Sequence, residues 1–297
     1  MNVSGILLIP FLLSALAGLS PGEGPERSRE GAKLQGAVHT VRSKNAQYSR
    51  RQGSEQKLEW VEGAHEKART DIYNRVGHLI EQMLTNPDGT HFQRKIRTYN
   101  TAGHVVQEIV YAPDGSLWHR MTWTYDAQDR MTHATRHEAD GTVLSEESFT
   151  YGDTNKPIES INYDADGTFL GRVLYTHNAQ GHMTERTWVD DEKKPVSRNA
   201  YVYDSQANLI TVEVYNRQDK LSSRWVYTYD ETGNRREWID YAPDGTLASK
   251  QVYTYEFDET GNWTKKVVSD WVTSEKGGEL EPSEVIYRVL TYYTEEK

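Results

Sequence analysis

Residues 224–246 read RWVYTYDETGNRREWIDYAPDGT, and this stretch holds two strand-like segments and two turns. Trp225–Tyr229 is aromatic and β-branched, as strands prefer. Asp230–Gly233 and Ala242–Gly245 each end in a glycine that suits the left-handed position of a type I turn with a G1 bulge, and Pro243 fixes φ inside the second turn. The stretch therefore predicts one β-hairpin followed by a turn into the next hairpin.

The same unit recurs every 26 residues across most of the chain. We call the position of Tyr229 the marker, and its members are Tyr73, Tyr99, Tyr125, Tyr151, His177, Tyr203, Tyr229 and Tyr255. Turn glycines recur with it, at Gly77, Gly103, Gly181 and Gly233 in the first turn and at Gly89, Gly115, Gly141, Gly167 and Gly245 in the second. A fixed period of this length is the signature of a repeat architecture. Because two turns per period leave two strands, we predict an all-β fold, an antiparallel meander of tandem hairpins with about 16–18 strands.

An even period points the side chains of every repeat the same way. Counted by alternation from the marker, one face is apolar and aromatic, and the other carries threonines and a basic row: Arg94, Arg120, Arg172, Arg198, Arg224 and Lys250. The same count puts an acidic row on the marker face: Glu81, Glu159, Glu185 and Glu237. A flat sheet would expose the apolar face, which soluble proteins avoid. We therefore expect a twisted or coiled sheet with the marker face inward.

The composition narrows the range of partners and chemistries. A net charge of −10 disfavours nucleic acid and anionic lipid as partners. The chain has no cysteine, which excludes disulfides, thiol nucleophiles and thiolate metal sites. Equivalent histidines of successive repeats lie too far apart to share one ion. The sequence therefore predicts no metal site and no cofactor.

The N-terminal region reads as a targeting segment. Residues 6–19, ILLIPFLLSALAGL, form an apolar run that is short for a membrane span and ends in small residues. We predict a signal peptide at 1–17, cleaved near Ala17, and no membrane span in the mature chain. The protein is then secreted, periplasmic or attached to the cell surface.

The rest of the chain divides by composition. Residues 18–56 are polar and predict a mostly flexible leader with one possible strand at 34–42. The hairpin-repeat domain is predicted at 57–297. Its regular repeats cover about residues 70–262, and residues 263–297 lose the turn motif, as terminal caps do.

The repeat unit also resembles a known family. Tyr227–Asn234, followed by Asp244-Gly245-Thr246, resembles the YD repeats of Rhs-like exported bacterial proteins, and Tyr125-Asp126 and Tyr203-Asp204 keep the Tyr-Asp pair. The resemblance covers about residues 70–262. It implies hairpins that wind into a β spiral, sometimes a hollow shell, in a secreted or surface-attached protein. It implies no active site, because the activities of that family usually lie in appended domains.

Three functional hypotheses remain open. The first is a non-enzymatic exported scaffold that binds a cell-wall or other glycan, or an envelope protein. Its candidate sugar-stacking residues are three tryptophans outside the marker-face pattern, Trp118, Trp188 and Trp238. The second is a hydrolase or lyase that acts on polysaccharide through the acidic row. The third is a purely structural spacer that binds no small ligand.

The repeat pattern bears on the enzyme hypothesis and on a membrane-spanning barrel. A glycoside hydrolase needs two carboxyl groups in different environments, and a regular row offers no such asymmetry. An enzyme should break the repeat at one place. The strongest break lies in the repeat around His177 and Val189–Pro195, where the second turn becomes Asp-Asp-Glu-Lys-Lys, and we interpret it as drift of a solvated turn. A membrane-spanning barrel is disfavoured because the second face carries Arg and Glu instead of an apolar band.

Overall fold

The computed structural model describes residues 34–52, 58–274 and 277–294, and every regular element in these ranges is a β-strand. The strands are β1 (Val38–Gln52), β2 (Leu58–Tyr73), β3 (Leu79–Thr85), β4 (His91–Tyr99), β5 (Val105–Tyr111), β6 (Leu117–Tyr125), β7 (Met131–Glu138), β8 (Val143–Tyr151), β9 (Pro157–Asp164), β10 (Phe169–His177), β11 (Met183–Val189), β12 (Pro195–Tyr203), β13 (Leu209–Tyr215), β14 (Leu221–Tyr229), β15 (Arg235–Tyr241), β16 (Leu247–Phe257), β17 (Trp263–Ser274) and β18 (Gly277–Tyr292). Within these ranges, no helix has the length and apolarity needed to cross a membrane.

The strands form a closed barrel. Each strand pairs antiparallel with the next along the chain, and β1 pairs with β2 on one edge and with β18 on the other. The predicted all-β antiparallel meander is confirmed. The predicted open sheet that twists or coils on itself is wrong, because the first and last described strands pair with each other.

A constant offset between repeats explains the closure. Thr98 lies opposite Gln107, and Gln107 lies opposite Thr122, whereas the repeat equivalent of Thr98 is Thr124. Each hairpin is therefore displaced along the strand direction relative to the one before it. Such a stagger tilts the strands against the barrel axis, and a barrel closes when stagger and strand number match.

Each turn of the repeats is followed by a β-bulge that exchanges the two faces. Tyr73 lies opposite Leu79, but its neighbour Ile72 lies opposite Glu81, so one residue of β3 is left out of the pairing. An unpaired residue shifts all later side chains of that strand to the other face. The second turn contains a matching bulge, which restores the faces before the next marker. Equivalent residues of successive repeats therefore lie on the same face. Within one repeat, however, counting every second residue across a turn assigns side chains to the wrong face.

The acidic row consequently lies on the opposite face from the marker, and its predicted place on the marker face is wrong. All four carboxylates pair across strands with the basic row: Glu81 with Arg94 at 2.6 Å, Glu159 with Arg172 at 3.0 Å, Glu185 with Arg198 at 3.2 Å and Glu237 with Lys250 at 3.0 Å. Exposed pairs of this kind contribute at most about 1 kcal/mol each. The acidic row therefore neutralises the basic row on the outer surface and lines no cleft.

The marker tyrosines connect neighbouring repeats. Tyr99 Oη donates a hydrogen bond to the Leu79 carbonyl at 2.7 Å. Equivalent bonds run from Tyr125, Tyr151, Tyr229 and Tyr255 to the carbonyls of Val105, Met131, Leu209 and Arg235. Each such bond is worth about 0.5–1.5 kcal/mol and satisfies a carbonyl of the preceding hairpin. This contact gives a physical reason for a tyrosine once in every period.

The turn glycines take the conformation that their position requires. All nine predicted turn glycines have φ between 77° and 96°. Where another residue stands in the turn, the backbone keeps the same region, with φ of 60° at Asp129 and 65° at Ala207. A residue with a Cβ is disfavoured there by about 1–2 kcal/mol. The hairpin geometry therefore imposes the left-handed conformation even without glycine.

Marker-face side chains pack tightly on one side of the interior. The buried residues of β5–β8 are Val105, Met121, Trp123, Met131, Ala134 and Phe149, and those of β10 and β11 are Val173, Tyr175 and Met183. We call the inner surface of β5–β11 the packed wall. Full burial of a side chain of this size is worth about 1.5–3 kcal/mol. The marker face therefore points inward, as predicted for the regular repeats.

The ends of the chain complete the barrel. β1 covers Val38–Gln52, so it extends past the predicted strand at 34–42 into the predicted leader. Its length follows from its place, since it pairs with the long strands β2 and β18 at once. Residues 263–297, predicted as a cap, supply β17 and β18. The predicted signal peptide at 1–17 lies outside the described residues.

Candidate functional site

A cavity of about 760 Å³ lies inside the barrel at the end that carries the first turns. Its lining joins Arg69, Asp71 and Tyr73 of β2 to residues of the β12–β13 turn and of β14–β18. The lining follows adjacent strands of the barrel wall, from β13 through β18 and β1 to β2. Its volume falls in the range of small-molecule sites, about 300–1,000 Å³.

Basic side chains dominate the charge of the cavity. Among the described lining residues, Arg69, Arg235, Lys266 and Arg288 are basic and Asp71 is acidic. Asp71 is already engaged, because Arg69 Nε lies 2.9 Å from its carboxylate and Gln82 Nε2 donates to it at 3.0 Å. We call the other three basic residues, on β15, β17 and β18, the cationic cluster.

The members of the cationic cluster act on one another. Burial lowers the pKa of Lys266, the nearby Glu284 carboxylate raises it, and the positive charges of Arg288 and Arg235 lower it further. Glu284 is shared with another group, since Asn45 Nδ2 donates to its Oε1 at 2.9 Å. Like charges held together in a partly enclosed space focus a positive potential. The positive potential of the cavity is opposite in sign to the net charge of the protein, which is −10.

Aromatic rings support the cationic cluster. Arg288 Cζ lies 3.4 Å from the Trp263 ring centre, and Arg235 Cζ lies 4.6 Å from the Tyr227 ring centre. Lys266 Nζ lies 5.7 Å from the ring centre of Trp263 and 5.8 Å from that of Tyr253. Each cation–π contact contributes about 0.5–2 kcal/mol. Because a ring orients a cation without cancelling its charge, the cluster keeps its attraction for an anion.

The structure separates the three tryptophans predicted as binding residues. Trp118, on β6, is 53% exposed. Trp188 pairs with Val173 and Ser197 and lines a second cavity, at the end that carries the second turns. Trp238 lies on β15 and pairs with Tyr227 of β14 and Gln251 of β16. The three side chains therefore form no common stacking platform.

The cationic cluster was not predicted from the sequence, although one signal was present. Arg235 directly follows a first turn, at a position that other repeats fill with Leu79, Val105, Met131, Met183 and Leu209. An arginine in an apolar row is a departure that needs a reason. Lys266 and Arg288 lie in the less regular C-terminal strands, where the lengthened turn before Lys266 obscures its position in the repeat.

A second unusual group lies in the packed wall. Glu147 is 3% exposed, and burial raises its pKa to about 7, while hydrogen bonds from Ser160 and Asn162 and the charge of Arg186 oppose the shift. Ala134 and Asn162 lie directly opposite it on the neighbouring strands. Because Glu147 is buried among packed side chains, we expect its protonation to change the free energy of unfolding and not the binding of a ligand.

Within the described part of the chain, no group of three or more His, Asp or Glu residues could hold a metal ion.

Comparisons with known proteins give likenesses of overall structure. A porin-like protein from Bacteroides uniformis is 11% identical, with a TM-score of 0.45 over 86% of this chain and 96% of that one. A porin-like protein from Bacteroides vulgatus is 10% identical, with a TM-score of 0.29 over 87% and 99%. The Tc holotoxin pore of Photorhabdus luminescens is 14% identical, with a TM-score of 0.35, and the match covers 72% of this chain and 12% of that chain. No family model matches the chain, and no curated protein does. Likenesses at this level assign no function.

The predicted YD-repeat resemblance is wrong. No family model supports it. The hairpins do not wind into a spiral, since β18 returns to pair with β1 and closes a barrel within this chain. Tyr-Asp pairs and Asp-Gly turns are what any short hairpin with a left-handed turn residue favours, so they do not distinguish a spiral from a barrel.

Proposed function

We propose that this protein is a non-catalytic, exported β-barrel that binds an acidic glycan in its interior. The observation that carries the proposal is the cationic cluster of Arg235, Lys266 and Arg288, which aromatic contacts hold at the wall of an open cavity. Holding like charges together costs free energy, and a bound polyanion offsets that cost. Export rests on the predicted signal peptide.

A sugar acid fits this cavity better than a simple inorganic anion. The lining supplies amide groups at Gln206, Asn208 and Asn234 and phenol groups at Tyr253 and Tyr255 alongside the cations. Amides and phenols can pair with hydroxyl groups, and aromatic rings accept the apolar face of a pyranose. A uronic acid carries hydroxyl groups, a C–H face and a carboxylate at once. The outward-facing ion pairs of the acidic row leave the hydrolase hypothesis without a cleft.

Binding of oligogalacturonate to the full-length protein, measured by calorimetry at low and high salt, tests the proposal. We expect affinity to fall steeply with salt, and Lys266→Gln to weaken binding about ten-fold or more, because the cluster loses one of its charges. Lys265→Gln is the matched control: Lys265 is the next residue in the chain and pairs with Glu256 at 2.8 Å. Neutral dextran should not bind this cavity.

Two results would contradict the proposal. One is the absence of binding to oligogalacturonate and to a sulfated glycan such as dextran sulfate. The other is an equal loss of affinity in Lys265→Gln and Lys266→Gln, which would indicate attraction to surface charge instead of a site. The first result would favour the structural-spacer hypothesis.

A further inference from the structure

A second cavity, of about 720 Å³, opens at the end that carries the second turns. Its lining includes Phe169 and Gly171 at the start of β10, Trp188 near the end of β11, and Asp190 and Asp191 in the following turn. We call this cavity the rim cleft. It coincides with the strongest break in the repeat, at Val189–Pro195. The preceding second turn keeps Asp166-Gly167, and the following one has Asp219 at the glycine position.

Trp188 is not required by the repeat. The equivalent positions in the other repeats hold Leu84, Val110, Arg136, Asn162, Val214 and Asp240. Small residues lie beside the indole on the adjacent strands: Ser197 pairs with it directly, and Gly171, without a side chain, lines the same cleft. Arg186 Cζ lies 4.3 Å from the Trp188 ring centre, which holds the indole in place from one side. Trp188 also packs against the buried cluster of Val173, Tyr175 and Met183, and the small residues beside it open its remaining surface to the cleft.

The two carboxylates of the rim cleft, Asp190 and Asp191, are hydrogen-bond acceptors, and Thr168 and Ser197 add hydroxyl groups. Asp190 accepts from the Lys194 amide at 2.8 Å and pairs with Arg217, and Asp191 accepts from the Glu192 amide at 3.1 Å. A carboxylate offers about four acceptor positions, so both keep capacity for hydroxyl donors. The one basic lining residue, Arg172, pairs with Glu159 at 3.0 Å. The cleft is therefore apolar and acidic, the reverse of the cationic cavity.

We propose that the rim cleft is a second binding site, for a neutral pyranose ring. The C–H face of such a ring stacks on an indole, and its hydroxyl groups donate to carboxylates. An acidic sugar is disfavoured, because its carboxylate would meet Asp190 and Asp191. This proposal rests on residues that the acidic-glycan site does not contain, so either site can fail without the other.

Titration of the full-length protein with cellohexaose, xylohexaose and chitohexaose, followed by tryptophan fluorescence and calorimetry, tests the rim cleft. For a neutral hexasaccharide that binds, we expect Trp188→Ala to weaken binding about ten-fold or more and Trp188→Phe to restore part of it, since a smaller ring still stacks. Asp191→Asn should weaken binding less. Trp238→Ala and Lys266→Gln should leave the affinity unchanged.

Several outcomes would overturn this assignment. They are the absence of binding to all three hexasaccharides, equal affinity of Trp188→Ala and the parent protein, or equal losses in Trp188→Ala and Trp238→Ala. If Trp188→Ala fails to fold, Trp188→Phe and Asp191→Asn decide, because both retain the packing of the cleft. Displacement of the sugar by a tryptophan-containing peptide with the same affinity would instead identify a protein-binding cleft.

Discussion

The packed wall of β5–β11 and the inner surface of β14–β18 are built on one repeat, yet one is filled and the other borders an open cavity. Five residues after the first-turn glycine position, the middle of the packed wall has Ala134 and Ser160, both fully buried, where the open side has Trp238 and Lys266. Glu108 and Arg186 hold the same position on its outermost strands, β5 and β11. The small residues leave room for Trp123, Phe149 and Tyr175 to fill the interior. The backbone of the repeat therefore sets the frame, and single positions decide whether a wall is core or site.

The largest difference between the two walls should be the loss of unfolding free energy when an aromatic residue is removed from each. Trp123 is 4% exposed in the packed wall, and Trp123→Ala should lower the free energy of unfolding by about 3–5 kcal/mol, because the cavity it leaves has rigid neighbours. Trp238→Ala, on the partly exposed side, should cost clearly less. Urea unfolding followed by circular dichroism measures both. Equal losses would mean that the two walls do not differ in packing.

The buried acid should make the packed wall sensitive to pH. The folded-state pKa of Glu147 is about 7, above its ordinary value of 4.5, so the folded state binds the proton more tightly than the unfolded state. Stability from this group is present below about pH 4.5, decreases as pH rises, and is fully lost above about pH 7. The full loss is about 3 kcal/mol.

Glu147→Gln should therefore raise the free energy of unfolding at pH 8 and leave it nearly unchanged at pH 4. Thermal unfolding across this pH range provides the measurement. Glu237→Gln, in an outer ion pair with Lys250, is the control and should show no such gain. A parallel pH dependence of Glu147→Gln and the parent protein would contradict the assignment.

Neutralising Lys266 on the open side should change the free energy of unfolding least. The sign of this change should be opposite to that of removing Trp123. Burial and the charges of Arg288 and Arg235 lower the pKa of Lys266. Lys266→Gln should therefore leave the free energy of unfolding unchanged or raise it by about 0.5–1 kcal/mol, while ligand binding decreases. Chemical unfolding without ligand tests this. A loss above about 1 kcal/mol would assign Lys266 a structural role.

The regular part of the fold could be predicted because its signals are local. A turn needs a left-handed residue and a strand needs an alternating pattern, so the period and the turn positions predict strand number and direction. Each turn glycine predicts a G1 bulge, but the faces were counted by plain alternation, without the residue that each bulge leaves unpaired. That omission placed Glu81 and its equivalents on the wrong face.

The candidate site was harder to predict from the sequence than the fold. The prediction included Trp188, which lines the rim cleft, but Trp118 and Trp238 share no surface with it. The cationic cluster was not predicted, since Arg235, Lys266 and Arg288 come from three strands with different positions in the repeat. Only Arg235 departs from a recognisable row.

The sequence by itself determined the hairpin repeat, the left-handed turns, the antiparallel order and the inward marker, because each depends on residues close together in the chain. Only the tertiary structure decided that the sheet closes, which face carries the ion pairs, and which charges meet in the interior. Closure depends on a small offset per hairpin summed around the whole barrel and on β1 pairing with β18, two strands from opposite ends of the chain. No local pattern contains that sum, so the site that closure creates could be found only in three dimensions.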